Sequence, residues 1–332
     1  MFGFYALSLL SGFFEIAPFI FALRCEGVLP ALVVALCYQL GNLTPCPLRL
    51  SKTAVRAAAV VGAIFLAAYS VAGFFPLLCA AVALLSAAIQ SARGMAKSNA
   101  SKPLKRFLRV AGFALGLFGA PLPLLVSGAA AAAVVCTGKS GAARGSLVLP
   151  PLNAVNAAMV LHQIHYFSYC YAAIAFTAAI AGNAAALGLF LAGWAVYISA
   201  ARLYRRHALA HSFFFGHSLL VLLLLGMFFM PSMAFKAALW VLTGIGGTTE
   251  FCLARLSLER GGSPDGGTFA ENAGHIIGVI CSIVMYAITD DLLHTVLVSA
   301  AAALGAIGLM AVALCSRKIE FSGKKGGTDN GY

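Results

Sequence analysis

The stretch Phe118-Gly119-Ala120-Pro121-Leu122-Pro123-Leu124-Leu125 lies near the middle of an apolar run from 107 to 137, and its two prolines decide how often the chain crosses a membrane. Proline removes a backbone donor and interrupts a continuous helix. The run therefore reads as two short helices or a tight helical hairpin, although about 15 residues per arm falls short of the ~20 that a bilayer needs. Further apolar segments run from about 2 to 23, 28 to 48, 54 to 73, 75 to 92, 154 to 181, 184 to 204, 212 to 230, 233 to 256, 269 to 288 and 292 to 316. The expectation is an all-α integral membrane protein with about twelve transmembrane helices, from eleven clear apolar segments of which one crosses twice.

Charge supports the double crossing. Arg49, Lys52 and Arg56 follow the second segment, and Arg93, Lys97, Lys102, Lys105, Arg106 and Arg109 follow the fourth. Arg202, Arg205 and Arg206 end the segment near 204, and Arg317, Lys318, Lys324 and Lys325 follow the last. Cytoplasmic loops carry the excess of Lys and Arg, and all four clusters fall on that side only if the 107 to 137 run crosses twice. The uncharged turn at Gly182-Asn183 and the acidic one at Asp290-Asp291 then fall on the opposite side. Both termini are expected in the cytoplasm, in a multi-pass protein of a bacterial cytoplasmic (inner) membrane.

Composition excludes other classes. The 332 residues are 61% hydrophobic and 10% charged, against roughly a quarter charged in soluble domains. The formal net charge of +12 sits in short loops, so it reads as membrane orientation and not as a nucleic-acid surface. The nine cysteines are scattered without a C-x-x-C pair, which gives neither a disulfide framework nor a zinc finger. The first segment starts at Phe2 with no basic region before it and no small-residue cleavage site, so it is expected to be a retained helix.

An offset of 162 residues relates Arg93 to Arg255, Gly112 to Gly274 and Gly116 to Gly278. The last two pairs fall at the same ordinal position, the fifth crossing of each half, as a tandem duplication would place them. The expected organisation is an N-terminal transmembrane bundle over 1–137, a central cytoplasmic linker over 138–153, a C-terminal bundle over 154–318 and a disordered cytoplasmic tail over 319–332.

Two six-helix bundles, inside termini, a central cytoplasmic loop and basic ends to the fourth and tenth helices together resemble the major facilitator superfamily. The resemblance rests on architecture: the loop Asn42 to Lys52 keeps basic residues but lacks that family's usual Gly and Asp pattern, and the chain is short for a member. It implies alternating access, by rocking of two bundles around a central cavity near the bilayer midplane.

Polar groups inside apolar segments are costly and are turned toward protein or water. In Leu161-His162-Gln163-Ile164-His165-Tyr166-Phe167-Ser168-Tyr169, helical spacing puts His162, His165, Tyr166 and Tyr169 on one stripe. Histidine changes charge near neutral pH, so the stripe is a candidate proton or substrate pathway; the alternative is interhelical glue. Glu271 and His275 are four residues apart on another segment, where carboxylate and imidazole can face each other. Glu250 and Glu15 lie well inside apolar segments and call for a partner or a proton, and Arg255 is not ideally spaced from Glu250. His217 is a lone histidine, and Gln39, Gln90 and Asn156 are candidate hydrogen-bonding groups.

The expected function is secondary active transport of a small solute, proton-coupled, through Glu15, His162, His165, Tyr166, Tyr169, Glu250, Glu271 and His275, with Glu15 opposite the histidine stripe. The lipid bilayer is its surroundings, no cofactor is expected, and nothing in the sequence sets the oligomeric state. One alternative is a metal or metal-chelate transporter. Another is an intramembrane metal-dependent enzyme built on His162, His165, Glu271 and His275, although the chain has no H-E-x-x-H, G-x-S-x-G or Walker-type motif, and the expectation is that it is not an enzyme.

Overall fold

The fold is described from a computed structural model over residues 2–43, 50–95, 101–118, 120–138, 151, 153–204, 207–247, 249–259 and 264–315. Among these residues the secondary structure is helical, with no strand. Most of the expected central linker and all of the expected tail, 319–332, lie outside the described residues.

In chain order the helices are α1 (Phe2–Cys25), α2 (Val28–Leu43), α3 (Lys52–Ala72), α4 (Phe75–Met95), α5 (Lys102–Gly116), α6 (Pro121–Thr137), α7 (Ala154–Phe167), α8 (Cys170–Tyr204), α9 (Leu209–Phe229), α10 (Met233–Gly247), α11 (Glu250–Glu259), α12 (Pro264–Thr289) and α13 (Thr295–Cys315), the last preceded by a 3-10 turn at Leu292–His294. Eight stretches are long and apolar enough to cross a membrane, one of them the 49 residues Ala154–Arg202; Val28–Leu43 and Pro121–Thr137 are shorter apolar helices.

Local chemistry explains many of the boundaries. The 107 to 137 run divides where the prolines stand, with Pro121 in the first turn of α6, a position where its missing N–H costs nothing. The preceding helix begins earlier than the apolar run, at Lys102, and carries Lys105, Arg106 and Arg109, so α5 is amphipathic and not itself one of the apolar stretches. Gly182 interrupts α8 with φ 82 and ψ 170, a conformation open to glycine. Asp290 has φ 52, and the Asp291 side chain accepts from the Leu293 N–H at 2.8 Å, which starts the 3-10 turn.

The chain forms two compact units, Met1–Val148 with Thr177–Asn183, and Leu149–Phe176 with Ala184–Tyr332. In the first, α1 packs against α2, α4, α5 and α6. Phe14, Ile16, Ala17, Phe19, Ile20 and Ala22 are all buried, as expected of a helix that is apolar all round. In the second, α7 packs against α11, α12 and α13, and α9 against α10, α11 and α13. One apolar cluster there contains Val155, Ala158, Met159, Phe213 and Leu253; another contains Tyr169, Leu220, Leu224, Val296 and Ala303. His162 and His165 fall between these two clusters along the chain.

The glycines at the 162 offset do the same work in each unit. A Cβ on Gly112 would lie 1.9 Å from the Leu9 carbonyl oxygen, and one on Gly116 2.9 Å from that of Phe13. A Cβ on Gly274 would lie 2.6 Å from the Val160 carbonyl oxygen, and one on Gly278 2.9 Å from that of Ile164. Small residues let helix backbones approach closely where lipid provides no hydrophobic drive. Both crossings keep the same spacing of four residues on each helix, which puts Ser11 of α1 in register with His162 of α7.

Candidate functional site

The second unit holds its polar groups where two helices are interrupted. The first interruption separates α7 from α8. The Tyr169 N–H bonds the Tyr166 carbonyl at 3.3 Å instead of that of His165. A carbonyl freed in an apolar interior needs another donor, and hydroxyls supply it. Ser299 of α13 donates to the His165 carbonyl at 2.6 Å, as does Ser168 at 3.0 Å. Ser282 of α12 donates to the Ser168 carbonyl at 2.6 Å. The second interruption separates α10 from α11, where the Thr249 hydroxyl donates to the Gly246 carbonyl at 2.6 Å.

Three imidazoles link these places. His162 is 2% exposed, and His165 and His217 are 0% exposed. His162 Nδ1 lies 2.9 Å from His217 Nε2. His217 Nδ1 lies 3.0 Å from the Thr249 hydroxyl and 3.2 Å from the Phe213 carbonyl. Since the Thr249 proton goes to Gly246, His217 Nδ1 must be the donor to both oxygens. In a neutral ring Nε2 is then an acceptor, so His162 Nδ1 carries the proton between the two rings.

The same reasoning assigns His165. The Ser299 proton goes to the His165 carbonyl, so His165 Nδ1 donates to the Ser299 oxygen at 3.3 Å. His165 Nε2 is left with a lone pair, buried and without a hydrogen-bond partner. It lies in a cage of rings: the His165 centroid is 4.9 Å from that of His162, 6.2 Å from His217 and 6.1 Å from Tyr169.

A second chain of hydrogen bonds runs beside the first. The Gln163 amide donates to Glu250 at 2.8 Å, and its oxygen accepts from His275 Nε2 at 3.1 Å. Glu250 opens α11, where the positive end of the helix dipole favours a carboxylate. Glu271 is within electrostatic reach of Glu250. Helix α12 begins at Pro264, so Glu271 lies two turns inside it and not at its edge. Arg255 is turned away to Glu259, at 3.3 Å.

The helix is interrupted after Phe167, yet the rings of the expected four-residue stripe stay adjacent, with Tyr166 6.5 Å and Tyr169 6.1 Å from His165 between centroids. Tyr169 lies in the break itself, and its buried hydroxyl donates to Thr243 at 2.9 Å; Tyr166 is 41% exposed. Glu15 is in the first unit, where its carboxylate pairs with Arg109 at 2.8 Å. Arg109 reads in the sequence as part of a basic loop, and the earlier start of α5 is what brings it to Glu15. Among the described residues, no group of three or more His, Cys, Asp or Glu side chains is arranged to hold a metal ion.

Sequence reasoning missed Gln163, Thr249, Ser282 and Ser299. Gln163 carried a signal, as an amide between two histidines in an apolar helix. The hydroxyls carried none, because Ser and Thr are common in transmembrane helices and their partners are remote in sequence.

No protein-family model and no curated protein matches the chain. Among solved structures, the chain is similar to the nucleoside transporter NupG, with TM-score 0.63 and 15% identity over 94% of this chain and 98% of that one. It is similar also to a bacterial homolog of the human lysosomal transporter Spinster, in an inward-facing and unoccupied conformation, with TM-score 0.61 and 11% identity over 95% and 98%. A bacterial homologue of the iron transporter ferroportin, in an outward-facing state with soaked iron, gives TM-score 0.56 and 17% identity over 95% and 99%. The chain is thus a multi-pass membrane protein with the fold of solved membrane transporters.

Proposed function

We propose that this chain is a secondary active transporter of a small solute, a short member of the major facilitator superfamily, and that protons drive it. On this reading the chain crosses the membrane twelve times, six in each half, with α5 and α6 as separate crossings and α10 with α11 as one. Both termini lie in the cytoplasm, and the membrane is a bacterial inner membrane. Transporter structures similar in fold stand in inward-facing and outward-facing states, the two that alternating access requires.

The observation that carries the proposal is the buried imidazole trio bridging two interrupted helices. Discontinuous helices in transporters put substrate and coupling-ion sites at membrane depth. A proton added to His165 Nε2 places charge where no partner waits, and uncompensated charge in an apolar interior is expensive. Relief comes from movement of α7, α9, α13 or the α10–α11 break, whose side chains hold the trio, and such movement is how protonation becomes a conformational change. Glu250, Gln163, Glu271 and His275 form the adjoining polar path, with Tyr169 and Tyr166 beside it. Glu15, neutralised by Arg109, acts in the first unit as an ion pair that opens and closes with the transport cycle.

The pairing of imidazoles argues against the metal alternatives, because His162 and His217 turn nitrogens on each other and so cannot both offer them to one ion. The test is uptake of radiolabelled nucleosides, amino acids, sugars and organic acids into liposomes containing the purified protein, under an imposed pH gradient. At least one class is expected to accumulate against its gradient and to leak out on adding a protonophore. No accumulation above protein-free liposomes in any class would overturn the proposal.

A further inference from the structure

The first unit carries a second polar cluster that the transport reading does not use. Arg93, near the end of α4, sends Nη1 to the Ser11 hydroxyl oxygen at 3.0 Å and to the Gln90 amide oxygen at 2.8 Å. The Gln90 amide nitrogen donates to the same Ser11 oxygen at 2.9 Å, and the Tyr38 hydroxyl donates to the Ser11 carbonyl at 3.1 Å. Ser11 and Tyr38 are each 1% exposed. Every partner in this cluster is neutral.

Among the described residues Arg93 has no ion pair, and its Nε is buried with no hydrogen-bond partner. With Nη1 held inward, the side of the guanidinium formed by Nε and Nη2 makes no hydrogen bond. Nη2, which is not among the buried nitrogens, is the part open to an oxygen of a carboxylate or a phosphate. Glu15, Arg109 and the Tyr38 phenol lie within electrostatic reach of Arg93, but Glu15 is committed to Arg109 at 2.8 Å. Two guanidiniums therefore share one carboxylate, and the group in excess is the more enclosed one. Buried charges are normally paired, so the arrangement lacks one anion.

We infer that Arg93 binds an oxyanion at Nη2, the guanidinium nitrogen that is neither buried nor hydrogen-bonded, with Nη1 held in place by Ser11 and Gln90. The oxyanion is a carboxylate or phosphate, carried by a small soluble molecule or by the headgroup of an anionic lipid. The neutral cradle explains the arrangement: it orients the guanidinium without neutralising it. The inference concerns binding and stands whether or not the protein transports what it binds.

The test is thermal unfolding of the purified full-length protein in dodecyl maltoside at constant ionic strength, with chloride as reference. The probes are inorganic phosphate, succinate and mixed micelles containing dioleoyl phosphatidylglycerol. A saturable rise in Tm is expected with at least one probe, of about 5–10 °C at about 100 times the Kd. It should disappear in Arg93→Gln. Because that variant also strands Ser11 and Gln90, Gln90→Glu is the second arm: its carboxylate keeps the arginine and satisfies it internally, so binding is lost while the fold is kept. Stabilisation by phosphate or succinate identifies a soluble ligand, and stabilisation by phosphatidylglycerol alone identifies a headgroup. No saturable effect from any probe, or an equal effect in Gln90→Glu, overturns the inference.

Discussion

Replacing His217 by leucine keeps the side-chain bulk and removes both ring nitrogens, so its cost follows from the hydrogen bonds those nitrogens make. Thr249 keeps its bond to the Gly246 carbonyl at 2.6 Å, and gives up only its role as acceptor. The Phe213 carbonyl lies within α9, where the helix ladder serves it. The damage falls on His162, whose Nδ1–H points at His217 Nε2 across 2.9 Å and is left buried without an acceptor. An orphaned buried donor costs about 1–3 kcal/mol. At about 2–4 °C per kcal/mol for a chain of this size class, the Tm falls by about 2–12 °C.

The double variant His162→Leu/His217→Leu removes both partners and should lose less stability than the two single changes together. The coupling expected is about 0.6–1.7 kcal/mol, the range that transmembrane hydrogen bonds show. Cys170 and Cys252 are buried, so a fluorogenic maleimide reports unfolding of the second unit once the other seven of the nine cysteines are replaced by alanine. A His217→Leu protein as stable as its parent, or strictly additive losses in the double variant, would refute the hydrogen bond between the two rings.

Gly274→Ala should lower stability by about 1–3 kcal/mol, because its Cβ meets the Gln163 Cβ at 2.5 Å and the Val160 carbonyl oxygen at 2.6 Å. Gly112→Ala should cost at least as much at 1.9 Å from the Leu9 carbonyl oxygen, whereas Gly308→Ala enters open space and should be neutral or stabilising by about 0.5–1 kcal/mol; the same melting assay ranks the three. Gln163→Leu severs the link between Glu250 and His275 and should cost about 1–3 kcal/mol, with initial uptake rates falling at the same time. Glu15→Gln breaks a pair whose arginine side chain is 46% exposed, so the Tm should fall by less than about 3 °C, and by less still in high salt.

The parts of the fold legible in the sequence are those determined by local chemistry. Pro121, Gly182 and the Asp290-Asp291 pair announce their breaks because their backbone preferences act wherever they stand. The glycines spaced by 162 residues were visible as a pattern, and the close approach of α5 to α1 and of α12 to α7 is its physical reason. The interruption after Phe167 was not legible. No glycine or proline marks it, and it persists because Ser282 and Ser299, more than a hundred residues away, supply the donors that the helix gives up. That break leaves Tyr169 between the two helices, with its ring still 6.1 Å from that of His165. Arg109 was visible only as one of several basic residues, since the amphipathic start of α5 hid inside a loop-like composition. His217 looked solitary because the sequence cannot show that α9 brings it to α7.

The central claim is that the buried imidazole trio ties proton movement to solute movement. Its most direct test encloses the dye pyranine in liposomes containing the protein and applies an inward gradient of the solute found by uptake, with no initial pH difference. The account predicts a change of lumenal pH that depends on the solute, and its loss in His165→Leu with solute exchange between equal concentrations retained. Solute entry without any change in lumenal pH, or a change of the same size in His165→Leu, would contradict it.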